Sequence, residues 1–157
     1  MSATSQLAML SDLARDARDE AGQLLAGERQ SERQVAAQLE SLQRYRLEYA
    51  ERLQQAMRDG IDPASMHNYQ QFLASLDAAL QRARQALDAQ QQRVQQSQQQ
   101  WRQEQQRLTA FDTLLTRRDA ERQRQEARRE QRISDEMSAG RLLRQRTAHA
   151  EAGRKSS

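Results

Sequence analysis

The chain has 157 residues, 36% of them hydrophobic and only 4% aromatic, with a net charge of +3 and no cysteine. Disulfides and thiolate metal sites are therefore excluded, and a wide core or a sheet is disfavoured because β-branched residues are scarce (Val35, Val94, Ile61 and Ile133 are the only valines and isoleucines). The positive balance is local: residues 1–58 hold 8 basic and 9 acidic groups, residues 59–115 hold 5 and 6, and residues 116–157 hold 12 and 7.

The start, "MSATSQLAML", has no basic run ahead of a long apolar stretch, so no secretory signal is read there. No apolar run approaches the ~20 residues a membrane-crossing helix needs. A soluble cytoplasmic protein is the expectation.

Helical periodicity begins at once. Positions 3 and 4 apart read Ala3, Leu7, Leu10, Ala14, Ala17, Ala21, Leu24, Glu28, Ser31, Val35, Gln38, Leu42, Tyr45, Tyr49, Arg52 and Ala56, and twelve of these sixteen are apolar. A helix over about 5–58 follows. "RDGIDPAS" then punctuates the chain: Gly60 suits the left-handed position after a helix, Asp62 can cap the next one, and Pro63 fits its first turn. So short a loop returns the second helix antiparallel, with a tip near Ile61.

The second stripe reads Met66, Tyr69, Leu73, Leu76, Leu80, Ala83, Leu87, Gln90, Val94, Ser97, Trp101, Glu104, Leu108, Phe111 and Leu115. Pairing about the tip makes partner numbers sum to about 122, which sets Trp101 opposite Ala21 and Gly22. It also sets polar Glu28 and Ser31 opposite the polar stretch from Gln90 to Ser97. The glutamine-rich run "QQQRVQQSQQQWRQEQQR" keeps Val94, Trp101 and Leu108 at heptad spacing, so it is the polar face of a coiled coil.

The fold class expected is all-α: a long two-helix antiparallel coiled-coil hairpin over residues 4–118, with its turn at about 59–63. About 53 paired residues at ~1.5 Å each predict a rod of roughly 80 Å. Residues 119–139 follow as an unpaired charged helical extension, and 140–157 as a flexible basic tail.

No catalytic constellation is visible. His67 and His149 lack fixed partners and read as surface histidines, the five glycines form no phosphate loop, and no cofactor or metal is implied. The arginines beyond residue 116 raise a nucleic-acid reading. Interspersed acids and the absence of any aromatic beyond Phe111 favour a solvated face or an acidic protein partner instead.

Near the tip the apolar surface is wider than one seam. Val35, Leu39, Leu42 and Leu53 can follow the packing face, while Gln38, Leu42, Tyr45 and Tyr49 make a second row. Phe72, Leu76, Ala79 and Ala83 repeat those intervals on the second helix. Two readings stay open at this point: a protein-binding patch with aromatic anchors, or aromatics that lean over the seam and widen the core.

The segments "LSDLARDARDEAGQLL", "QLESLQRYRLEYAERLQ", "GIDPASMHNYQQFLASLDAALQ" and "WRQEQQRLTAFDTLL" together resemble the flagellar type III export protein family FliJ over roughly residues 7–118. The resemblance implies a non-enzymatic coiled coil similar to the central stalk of rotary ATPases. It implies binding to the flagellar export ATPase hexamer, to the export gate protein FlhA and to export chaperones, with only peripheral membrane association at the flagellar base. It maps the family's gate-binding patch onto Gln38, Leu42, Tyr45, Tyr49, Phe72, Leu76 and Ala79, and departs from the family at Ala83, where a polar residue is expected. A monomer without nucleic-acid partners is expected. The alternative is a generic structural coiled coil or a homodimerising adaptor whose apolar rows bury each other.

Overall fold

A computed structural model of the chain describes residues 2–156; Ser157, the last residue of the expected tail, lies outside them. Two helices make up the described chain, α1 (Ala3–Asp59) and α2 (Pro63–Lys155), with no strand among the described residues. The all-α hairpin expected from the two stripes is what the helices form. At the turn, Gly60 has φ of +91°, the left-handed conformation that a residue without Cβ adopts most readily. Asp62 then caps α2: its carboxylate accepts the Ser65 N–H at 3.2 Å and its carbonyl oxygen accepts the Met66 N–H at 3.0 Å. Hydrogen bonds from Ser65 hold the Asp62 carboxyl below its ordinary value.

Two compact units divide the chain, one of residues 12–108 and one of the residues up to Ser11 with those from Thr109 onward. In the first, Ala14, Ala21 and Leu25 of α1 and Leu76, Leu80 and Leu108 of α2 are buried. Each buried leucine contributes about 1.5–3 kcal/mol relative to an exposed one. Gly22 makes room for an indole: a Cβ on it would sit 3.4 Å from Cδ1 and Nε1 of Trp101, the large-against-small pairing expected from the register. The polar layer also falls where expected. The buried Gln90 amide donates to the Glu28 carbonyl oxygen at 2.9 Å and to the Glu28 carboxylate.

Every stripe position of α2 from Met66 to Leu108 is buried or half-buried. On α1 the seam departs from the expected stripe at Leu24, Gln38, Tyr45 and Arg52, which are exposed, whereas Ala17 and Ser31 are half-buried as expected. The shared positions Ala14, Ala21, Glu28, Val35, Leu42, Tyr49 and Ala56 do face inward. Between them the seam runs through Arg18, Leu25, Glu32, Leu39, Arg46 and Leu53. Leu24, which was expected in the seam, is 52% exposed beside buried Leu25. The reason is geometric. A stripe rising by 3 then 4 residues along α2 runs backwards when α1 lies antiparallel to it, so α1 must rise by 4 then 3 to mate with it. Reflecting the α2 stripe through the pairing sum yields the observed α1 positions.

In the second unit, Ser2 caps α1, accepting the Ser5 N–H at 3.1 Å with its hydroxyl oxygen. Leu7 and Ser11 are buried, Phe111 and Leu115 half-buried, and the Ser11 hydroxyl donates to the Asp112 carboxylate at 2.7 Å. The expected seam residue Leu10 is exposed here for the same reflected-register reason. From Glu121 to Ala139 every residue is exposed, with local pairs such as Arg122–Asp119 at 2.8 Å along the helix. The helix runs on to Lys155, across the segment for which the composition suggests a flexible tail. Alanine, arginine, leucine and glutamine favour helix there, against a cost of about 1 kcal/mol each at Gly140 and Gly153.

Candidate protein-docking site

Four rings gather near the turn within the unit of residues 12–108. Tyr49 is the hub: its ring centroid lies 4.4 Å from Phe72, 5.2 Å from Tyr69 and 6.4 Å from Tyr45. Phe72 meets Tyr45 at 6.0 Å with the planes at 85°, the edge-to-face arrangement that aromatic quadrupoles favour. Helical spacing produces this cluster. Tyr45 and Tyr49 are one turn apart on α1, Tyr69 and Phe72 are three apart on α2, and the antiparallel register brings the two pairs together.

The rings differ in depth. Tyr49 and Tyr69 are half-buried, whereas Tyr45 is 43% and Phe72 37% exposed. Two aromatic faces therefore reach solvent on top of two that anchor them. The remaining residues of the expected patch divide in the same way. Gln38 is exposed, Leu42 and Ala79 are half-buried, and Leu76 is a buried seam residue at 7%. Ala83, at the edge of the row, is half-buried. Leu76, one turn along α2 from Phe72, thus offers little surface of its own.

Tyr69 is the ring that the second-row pattern leaves out, because its spacing assigns it to the seam. It does lie there, and it also touches Tyr49. A second feature is Arg46, whose guanidinium donates to both carboxylate oxygens of Asp77 across the two helices, one of these bonds at 3.4 Å. That hydrogen bond holds the Asp77 carboxyl below its ordinary value of 3.8. The reflected register places Arg46 in the seam and so brings its fork within reach of α2. A shallow groove of about 560 Å³ beside this pair is lined by Gln43, Arg46, Asp77, Leu80, Gln81 and Arg84. Its one carboxylate is engaged by arginine and no nucleophile stands next to a base, so the groove offers binding area and no acid–base pair.

No helix among the described residues is long and apolar enough to cross a membrane, and no group of three or more His, Asp or Glu residues among them could hold a metal ion.

Comparison with known proteins gives the following similarities. The family model for the flagellar FliJ protein matches residues 3–147. The flagellar FliJ protein of Escherichia coli (strain K12) is 38% identical over 82 residues, covering 52% of this chain and 56% of that protein. The chain thus spans about half the length of that curated relative in the match. A solved structure from Chlamydia trachomatis, described as a YscO homologue, superposes with a TM-score of 0.67 over 90% of this chain and 91% of that one. At 19% identity that likeness speaks for the fold alone.

Proposed function

Since the chain belongs to the flagellar FliJ family, we propose that it is a non-enzymatic component of the flagellar type III protein export apparatus. In this reading it binds the export ATPase hexamer and the gate protein FlhA, and it handles export chaperones. ATP hydrolysis belongs to the ring, and this chain couples it to export as a monomer without chemistry of its own. It works in the cytoplasm at the flagellar base, peripheral to the inner membrane.

The gate-binding surface is assigned to Gln38, Leu42, Tyr45, Tyr49, Phe72, Leu76 and Ala79. The observation that carries this assignment is the exposure of Phe72 and Tyr45 over a packed base of Tyr49 and Tyr69. Aromatics held rigidly at a surface lose little conformational entropy on binding and make effective interface anchors. Leu76 is buried in the seam and offers little surface of its own. The N-terminal residues and the part of α2 that continues past Leu115, up to residue 136, are assigned to the ATPase ring.

Phe72→Ala tests the assignment. Binding to the cytoplasmic part of FlhA is expected to fall about tenfold or more, in line with loss of an aromatic anchor. The midpoint of thermal unfolding should fall by less than it does in Leu76→Ala, whose side chain is buried. Gate binding equal to that of the parent chain would overturn the assignment of this surface.

A further inference from the structure

The extension of α2 has two chemically different halves. Residues 117–136 hold seven basic and six acidic side chains, and the only large apolar residue among them is Ile133. Residues 137–155 hold five basic groups against the single acid Glu151, together with Met137, Leu142 and Leu143. These three are 61%, 56% and 64% exposed, and Arg141, Arg144 and Arg146 form no ion pair among the described residues. On the helix, Ala139, Leu142, Leu143 and Ala150 share an arc of about 100°. Arg146 shares that arc, and its long aliphatic stem lets the guanidinium reach past the apolar side chains. Arg141 and Arg144 lie on the other side.

We propose that residues 137–155 dock on the anionic phospholipid surface of a membrane, with Leu142 and Leu143 dipping into the headgroup boundary, Arg146 reaching the lipid phosphates, and Arg141 and Arg144 adding longer-range attraction from the polar side of the helix. The balance of forces selects this occupant. Two leucines and two alanines are far too little for a protein interface, which needs on the order of 1,000 Å². A cluster of four or more basic residues near a helix is by contrast enough for peripheral attraction to anionic lipid. A nucleic acid would supply the phosphates but has no use for paired leucines, and the segment has no aromatic to stack on bases. The absence of a membrane-crossing helix among the described residues fits a segment that lies on the surface. The proposal rests on this segment and not on the export reading, so gate binding and lipid binding stand or fall separately.

The test is co-sedimentation of the full chain with vesicles of phosphatidylcholine containing about one-third phosphatidylglycerol, against pure phosphatidylcholine. Binding is expected to the anionic vesicles only, weakening steeply as salt rises from about 0.1 to 1 M. Arg141→Gln, Arg144→Gln and Arg146→Gln combined should weaken it at least about tenfold, with roughly fivefold from Arg146 and less from each arginine on the polar side. Leu142→Ser with Leu143→Ser should weaken it about tenfold. All five side chains are exposed, so helicity by circular dichroism should be unchanged. If the arginine variant loses helix, the salt dependence and the leucine variant decide. Absence of binding to anionic vesicles overturns the proposal. So does binding that ignores both leucines and is competed equally by poly-uridylate or poly-glutamate, which would mark the segment as a general polyanion or acidic-protein site.

Discussion

The aromatic cluster by the turn and the polar layer around Gln90 lie in the same unit and invert each other. Near the turn, large apolar rings stand partly in solvent although a seam runs beneath them. At the polar layer a glutamine is buried at 6% exposure while leucines such as Leu24 face outward. Burial here is set by register, and side-chain hydrophobicity follows only where register permits. The two exceptions then carry different meanings. A polar group inside the seam fixes which residues pair, because only one register satisfies it. Phe72 packs on Tyr49 and Tyr45 yet keeps more than a third of its surface in solvent, and the proposed docking surface rests on that exposed part.

The contrast can be broken at several points. Leu80→Ala or Leu76→Ala removes seam volume and should destabilise by about 2–5 kcal/mol, the largest effect of the set, measured by denaturant unfolding. Gln90→Ala should cost about 1–3 kcal/mol, since the Glu28 carbonyl and carboxylate lose their buried donor. Gln90→Leu together with Glu28→Leu should be neutral or stabilising, as replacing a buried polar pair by apolar groups often is. A large loss from that double variant would mean that the polar layer holds the seam together as well as aligning it. Phe72→Ala should cost about 1–2 kcal/mol, less than a seam leucine, because more than a third of the ring is already in solvent.

The smallest expected effect is that of pH. Asp77 and Asp62 both have folded pKa values below the ordinary 3.8, so the unfolded chain binds protons more readily at these sites. Their contribution is complete above that value and is lost progressively as pH falls below it, through the depressed folded values. Both groups are exposed, so the acid-side fall in unfolding midpoint should be slight. In Asp77→Asn it should shrink further, and an unchanged pH profile would show that the Arg46 fork adds no stability.

Much of this was legible in the residues. The two helices, the capped glycine turn, the indole over Gly22 and the polar layer all follow from spacing and from pairing about the tip. The α1 stripe departs from the seam at six of its sixteen positions, because Leu24 and Leu25 are equally apolar and Leu10 is a more obvious core residue than Ser11. Periodicity on one helix cannot choose between such neighbours. Reflecting the α2 stripe through the pairing sum does choose, and it moves Tyr45 and Gln38 out of the seam while bringing Arg46 in. What no spacing rule supplies is side-chain depth: that Tyr49 lies under Phe72, that Tyr69 joins the cluster, or that Arg46 forks onto Asp77. The helix over residues 140–155 was unreadable for another reason, since composition alone does not separate a solvated helix from a flexible chain.

The central claim is that Phe72 belongs to a docking surface and Leu76, one turn on, to the seam. Gate binding and thermal unfolding of Phe72→Ala and Leu76→Ala, measured on the same preparations, test it most directly. The expected result is that Phe72→Ala loses binding to the cytoplasmic part of FlhA with only a small fall in melting temperature, while Leu76→Ala melts many degrees lower. Equal melting losses in both variants, or full gate binding without the Phe72 ring, would contradict it.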